Sequence, residues 1–199
     1  MTTSLADRVR RLPLPIRTRR LELVAPRIDL VDSLVALLSE PSIARWTLHI
    51  PHPYRASDAR GHIARSRSAR RKGHSLSLQI VRRRDGRLVG GVGLHNLNER
   101  AASGEVGYWV GRAFRRRGYG GEATRALTGV AFRRLGLHRV EATVFPGNTG
   151  SIRLLTRAGF QFEGVSREAV PKEGVWRSCL RFARLSTDPV RPRRRRRTP

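Results

Sequence analysis

Cysteine occurs once in this chain, lysine twice and acidic residues only 15 times, and each scarcity excludes a class of protein. A single cysteine, Cys179, cannot build an internal disulfide framework or a thiolate-rich metal site, so a reducing compartment is the simplest home. The lysines are Lys72 and Lys172, which leaves arginine to supply nearly all of a formal charge of +26. Such a bias can be a genome-composition effect, yet its field attracts nucleic acid, acidic proteins and phosphorylated small molecules whatever its origin. Aromatic residues are 6% of the chain, few for a module that binds nucleic-acid bases by stacking. No apolar run approaches the ~20 residues that cross a bilayer, and the first residues, Met1 to Arg20, lack the apolar core of a secretory signal. The expectation is a cytoplasmic protein without a membrane partner and without a bound metal.

With 199 residues, 39% of them hydrophobic, the chain suits one domain with one core. Residues 1–16 carry Pro13 and Pro15 and read as a flexible leader; 17–187 read as the domain; 188–199, with five consecutive arginines from Arg193 to Arg197, read as a disordered tail. Within the domain, Arg20 to Val24 suits a first strand, and apolar residues at helical spacing from Ile28 to Leu38 predict a helix ended by Pro41. Ser42 to Tyr54 is irregular, and a basic helix is expected from Ser57 to Arg71 with Gly73 as its stop. From Ser75 the apolar period changes to two, and the Asp85-Gly86 turn begins an antiparallel meander that ends in Glu105 to Val110. A helix from Glu122 to Leu135, a strand from Arg139 to Phe145, a helix after Asn148 and closing strands Phe160 to Val165 and Trp176 to Leu185 complete the reading. There is no internal repeat.

The most informative stretch is Arg115-Arg116-Arg117-Gly118-Tyr119-Gly120-Gly121-Glu122, between the last meander strand and the next helix. A glycine-rich, arginine-flanked turn that opens a helix offers backbone N–H groups to a phosphate at a positive helix end. Its spacing, R-x-x-G-x-G, is neither G-x-x-x-x-G-K-[ST] nor a dinucleotide G-x-G-x-x-G.

Taken together, "EVGYWV", "RRRGYGGEA", "NTGSIRLLTRAGF" and "EGVWRS" occur in an order that resembles the GCN5-related N-acetyltransferases, and within them the RimJ/RimL branch. The resemblance runs from about Thr18 to Leu185. It implies an α/β (α+β) domain with a central, mixed, mostly antiparallel sheet flanked by helices, and an enzyme that uses acetyl-CoA to acetylate a primary amine, most naturally a protein N-terminus. It implies that Arg115, Arg116, Arg117, Gly118, Tyr119, Gly120 and Gly121 hold the pyrophosphate, and that a backbone N–H near Val110 faces the thioester carbonyl. Asn148 and Ser151 match N-x-x-S, and the resemblance implies that Ser151 protonates the departing thiolate or holds the pantetheine of the cofactor, with Asn148 ordering the loop; the same residues also suit an ordinary helix cap. Many relatives place a tyrosine acid seven residues after the asparagine, where this chain has Leu155.

The general base is open between Glu105 on the strand feeding the loop and Glu168, because the position at which the ribosomal-protein branch keeps a glutamate is Val170 here. Trp46, His52 and Tyr54, with His49, fall where that branch builds its substrate wall, and His95 stands at a strand end without an assigned role. Two alternatives stand beside this reading. One is a small-molecule amine acetyltransferase; the other is a non-catalytic RNA- or ribosome-associated module that uses the basic surface and arginine tail.

Overall fold

The computed structural model describes residues 3–189, so the arginine run of the expected tail lies outside the described residues. In chain order these form α1 (Leu5–Arg11), β1 (Ile16–Arg17), β2 (Leu21–Val24), α2 (Val31–Leu38), α3 (Pro41–Ala44), α4 (Ala56–Lys72), β3 (Leu76–Arg82), β4 (Leu88–Asn98), β5 (Ser103–Val110), α5 (Tyr119–Arg133), β6 (Arg139–Val144), α6 (Thr149–Ala158), β7 (Gln161–Lys172) and β8 (Val175–Leu185). The strands make one mixed, mostly antiparallel sheet of eight in the order β1-β2-β3-β4-β5-β6-β8-β7, as expected of the fold class.

The first helix corrects the expectation of a flexible leader over 1–16. Leu5, Val9 and Leu12 recur at helical spacing and are buried in the main core, while the Ser4 hydroxyl caps the helix by accepting from the Asp7 N–H at 3.1 Å. The Leu5 N–H donates to Glu99 at 2.7 Å, and Arg70 donates to the Leu12 carbonyl at 2.6 Å. Where α1 crosses the end of α4 there is no room for a side chain: Gly73 ends α4 at φ +75°, and a Cβ there would fall 2.4 Å from Ala6. Leu5→Ala is expected to cost about 2 kcal/mol, the low end for a buried leucine because a terminal helix can relax into the cavity. Urea denaturation checks this; a midpoint equal to wild type would mean that α1 is not docked in solution.

Strands β3, β4 and β5 form the expected meander, and their period-two apolar residues face α5 and α6 in the main core. A second cluster, with Val31, Leu34, Leu38, Ile63 and Leu88, packs α2 and α4 on the opposite face. The closing hairpin is longer than the sequence suggests. Glu173 and Gly174 both adopt positive φ, as a two-residue hairpin turn requires, and β7 bulges twice so that it can follow the twist of β8.

The feature that shapes the site is the one parallel pairing among the described strands. β5 meets β6 only at Ser103–Glu105 against Arg139–Glu141; beyond Glu105 the two strands part, β5 running on to Val110 and β6 to Val144. A wedge therefore opens in the middle of the sheet.

Candidate active site

One side of the wedge is the free edge of β5. The Gly111 N–H donates to the Val89 carbonyl at 3.0 Å, which makes Gly90 and Val110 a non-hydrogen-bonded pair, so the polar groups of Val110 turn away from β4 and into the wedge. Strand alternation turns those of Val106 and Tyr108 the same way. The Val110 carbonyl accepts from the Arg115 guanidinium at 3.0 Å, and its N–H points into the opening.

At the wide end of the wedge lies the start of α5. Arg116 at φ +59° and Gly118 at φ +77° turn the chain abruptly into the helix, which has no side-chain cap. The N–H of Glu122 reaches back to the Gly118 carbonyl at 3.0 Å, leaving those of Tyr119, Gly120 and Gly121 outside the helical ladder. Arg116 and Arg117 are exposed beside them. Uncapped donors at a positive helix end, next to exposed guanidinium groups, fit a pyrophosphate. Gly120 itself has a different reason to lack a side chain from the one the sequence suggests: a Cβ would stand 2.9 Å from Leu154 and 3.2 Å from Val110, so its bareness lets α5 pack on α6 and β5.

This turn is fastened from behind by residues that the sequence reading does not single out for this purpose. The buried Glu122 carboxylate accepts from the Thr18 hydroxyl at 2.7 Å, the Arg20 N–H at 2.9 Å and the Arg20 guanidinium at 2.7 Å. Arg20 also donates to the Arg117 carbonyl at 3.0 Å and lies over the Tyr119 ring. Burial works to raise the pKa of Glu122, but the donors from Thr18 and Arg20 outweigh it and hold the carboxyl below its ordinary value. Tyr119 is buried with its hydroxyl 3.5 Å from Arg82, so its contribution to an anion site is its backbone alone.

Across the wedge, Asn148 caps α6: its side-chain oxygen accepts from the Ser151 N–H at 3.1 Å. Ser151 is half-buried in the first turn, and the Tyr108 hydroxyl lies 3.4 Å from its carbonyl. Burial pushes the Tyr108 phenol up to about 12, so it is protonated at neutral pH. Leu155, where many resembling sequences have tyrosine, is fully buried.

The opposite face of β4 and β5 carries a different set. Gly91, Gly93 and Gly107 leave the sheet bare, and rings lie over it: the Trp109 indole where a Cβ on Gly91 would come within 2.5 Å, and the His95 imidazole where one on Gly93 would come within 2.8 Å. Glu105 shares this face and accepts from the Asn96 side-chain amide at 3.0 Å. The segment 45–55 closes over this side. Trp46 is half-buried and reaches Gly147, His49 and His52 are exposed, and Lys172 donates to the Ala44 and Thr47 carbonyls, tying the β7–β8 hairpin to the segment.

Tyr54 corrects the expected substrate wall. It is buried in the second core cluster, where lost solvation pushes its phenol up to about 12, and it faces no opening. Glu168 is exposed on the outermost strand, at φ +45° within a bulge. Among the described residues no group of three or more histidine, cysteine or carboxylate side chains could hold a metal, and no helix is long and apolar enough to cross a membrane.

Comparison with known proteins gives the family and the fold. The family model for the acetyltransferase (GNAT) domain matches residues 20–161. The chain is 29% identical over 171 residues to the uncharacterized N-acetyltransferase p20 of Bacillus licheniformis, covering 86% of this chain and 96% of that protein. It is 40% identical over 105 residues to YjcK of Bacillus subtilis (strain 168), named a probable N-acetyltransferase, and that match covers 52% of this chain and 58% of YjcK. A solved structure from Vibrio cholerae, provisionally named a ribosomal-protein-serine acetyltransferase, superposes with a TM-score of 0.78 at 26% identity, covering 86% of this chain and 97% of that one.

Proposed function

Because this chain belongs to the acetyltransferase (GNAT) family, we propose that it transfers the acetyl group of acetyl-CoA to the N-terminal amine of a protein by direct attack. The observation that carries the reading is the wedge between β5 and β6 with an uncapped, arginine-flanked helix start at its wide end. A diphosphate held at Tyr119, Gly120 and Gly121 directs the rest of a long, thin acyl carrier along the free edge of β5. There the N–H groups of Tyr108 and Val110 are oriented to receive negative charge on a carbonyl oxygen. No covalent intermediate on the protein is needed, because holding the amine beside a thioester and moving its protons is sufficient.

In this reading Ser151, held at the start of α6 by the Asn148 cap, supplies the proton to sulfur, and Glu105 stands on the face from which the amine arrives. Trp46 and His52 belong to the segment that would bound the acceptor; Tyr54 supports that segment from within the core. A protein acceptor is favoured by charge and by likeness. A surface of +26 repels polyamines at long range and attracts acidic chains, and the Vibrio cholerae neighbour bears a ribosomal-protein name. Beside the start of α5, Arg19, Arg20, Arg82, Arg83, Arg84 and Tyr119 line a recess; Arg20 pairs with Glu122 and Arg82 with Asp85, and the excess positive charge suits ribosomal RNA near such an acceptor.

The test is a melting curve with acetyl-CoA, followed by release of free CoA with acidic peptides, ribosomal proteins and small amines as acceptors. We expect a higher Tm with acetyl-CoA, turnover with at least one protein-derived α-amine, and a fall in kcat of roughly 10²-fold for Ser151→Ala. Well-folded protein whose Tm ignores acetyl-CoA, and which releases no CoA with any acceptor, would end the proposal.

A further inference from the structure

We infer that His95 is the group that accepts the proton of the attacking amine, with Glu105 beside it as its positioning partner; this rests on the acetyltransferase reading above. The argument begins with register. His95 and Glu105 are directly paired across β4 and β5, so their side chains leave the same face side by side, about 5 Å apart at Cβ. Glu105 is also the last residue of β5 paired with β6, which puts the two side chains at the closed end of the wedge. The His95 ring reaches back along β5 from there to lie over Gly107, the neighbour of Tyr108, so it approaches an acyl group whose carbonyl is held at the Tyr108 N–H, and the segment 45–55 bounds the same face.

The second observation is the glycine floor. With a side chain at Gly93 the His95 ring could not lie where it does, since the new Cβ would fall 2.8 Å from Nε2; Gly107 also leaves open space, its would-be Cβ lying 3.7 Å from the ring. Two bare positions on adjacent strands are thus occupied by one imidazole lying against the sheet.

The electrostatics agree with a base. The residue is exposed on its outer side while the ring lies against the sheet on its inner one, and the solvation lost there is the main reason its pKa falls below the ordinary 6.5; Glu105 pulls the other way and His49 adds to the fall. The titratable and charged groups facing it are Glu105 on β5, His49 in the covering segment, and His62 on α4 with Arg65 next to it; on β8, Arg181 acts with Glu105 on the buried Cys179. At neutral pH the imidazole therefore keeps a free lone pair. The Glu105 carboxylate is partly engaged by Asn96, which leaves it better suited to orienting the ring than to taking the proton. An imidazole is also the closer match in basicity to an amine, with ordinary values of about 6.5 for histidine against about 4.3 for glutamate.

The step balances without any further reactant. The amine lone pair forms the C–N bond to the thioester carbon, and the C–S bond breaks with its electron pair on sulfur. The proton from nitrogen passes to His95, and sulfur takes one from the Ser151 side. Histidinium then releases its proton to water, and Ser151 recovers from water the proton it gave to sulfur, which restores both groups.

The experiment uses the full chain, acetyl-CoA and whichever acceptor of the panel turns over. For wild type, kcat should fall on the acid side through an apparent pKa below 6.5. His95→Gln should lower kcat about 10²-fold and remove that acid step, while its melting temperature still rises with acetyl-CoA. Added imidazole should restore part of the rate to His95→Ala. Glu105→Gln should move the acid step to still lower pH, because loss of the carboxylate's pull lowers the imidazole pKa further. A His95→Gln variant within threefold of wild type, or no imidazole rescue of His95→Ala, overturns the inference while leaving the acetyltransferase reading in place. If no acceptor turns over even in wild type, that reading fails first and takes this one with it.

Discussion

Gly120→Glu should yield a protein that acetyl-CoA no longer stabilises. For wild type, ligand at 100 times its Kd adds about 2.7 kcal/mol to the folded state, which a melting curve resolves easily. The substitution acts twice. Its Cβ is too close to the side chains of Leu154 and Val110, so these or the first turn of α5 must shift, and the carboxylate enters the region where a pyrophosphate would bind. Overpacking of this kind costs about 1–3 kcal/mol, so the lower Tm of the variant must be separated from its response to ligand. Gly121→Glu makes that separation. A Cβ at Gly121 meets the flexible end of Arg125 at 3.3 Å and Leu154 only at 3.8 Å, so the fold should tolerate it while the charge still opposes the diphosphate. Both variants should keep the wild-type far-ultraviolet spectrum and show no Tm rise with acetyl-CoA. A wild-type rise in both would show that the α5 start holds no phosphate.

The second large effect is expected from Glu122→Ala, a residue that reaches neither substrate in the reading above. Removing the carboxylate leaves the Thr18 hydroxyl, the Arg20 N–H and the Arg20 guanidinium without their acceptor. Loss of one partner of a fully buried charge pair costs about 3–5 kcal/mol. The Arg20 side chain is 36% exposed and can regain water, so about 2–3 kcal/mol is expected here. Glu122→Gln, which keeps an acceptor, should fall between.

The pH dependence follows from the sign of the shift. The folded-state pKa of Glu122 lies below its ordinary 4.5, so its contribution is complete above 4.5 and is lost as pH falls through the lower, folded value. Between neutral pH and about 5 the gap between wild type and Glu122→Gln should be constant. Below that it should narrow. Urea midpoints collected from pH 7 to 3 would show it; a gap that widens on acidification contradicts the ion pair. Acetyl-CoA affinity should fall alongside stability, since Arg20 also holds the Arg117 carbonyl of the loop.

What the sequence disclosed of this molecule depends on how far apart the deciding residues are. The R-x-x-G-x-G turn, the meander and the Asn148 cap are local, written in glycine positions, a period of two and one capping side chain, and the structure has all three where they were expected. The first helix was hidden for a local reason too: Pro13 and Pro15 suggested a loose segment, although Leu5, Val9 and Leu12 carry helical spacing. Arg20 and Glu122 could not be paired in advance, because 102 residues separate them and no periodicity links them. Tyr54 was placed by its neighbours in sequence, His52 and the prolines, whereas its burial is decided by α2 and α4 closing over it. The His95–Glu105 pairing depends on the register of β4 against β5, which the turn between them sets through an irregularity at His95 and Asn98 that composition does not reveal.

The parting of β5 from β6 has one more consequence. A slot cut through the middle of a sheet opens on both sides, toward α5 and α6 on one and toward the segment 45–55 on the other. Spent carrier and modified chain would have separate exits, so neither would have to wait for the other to clear the way.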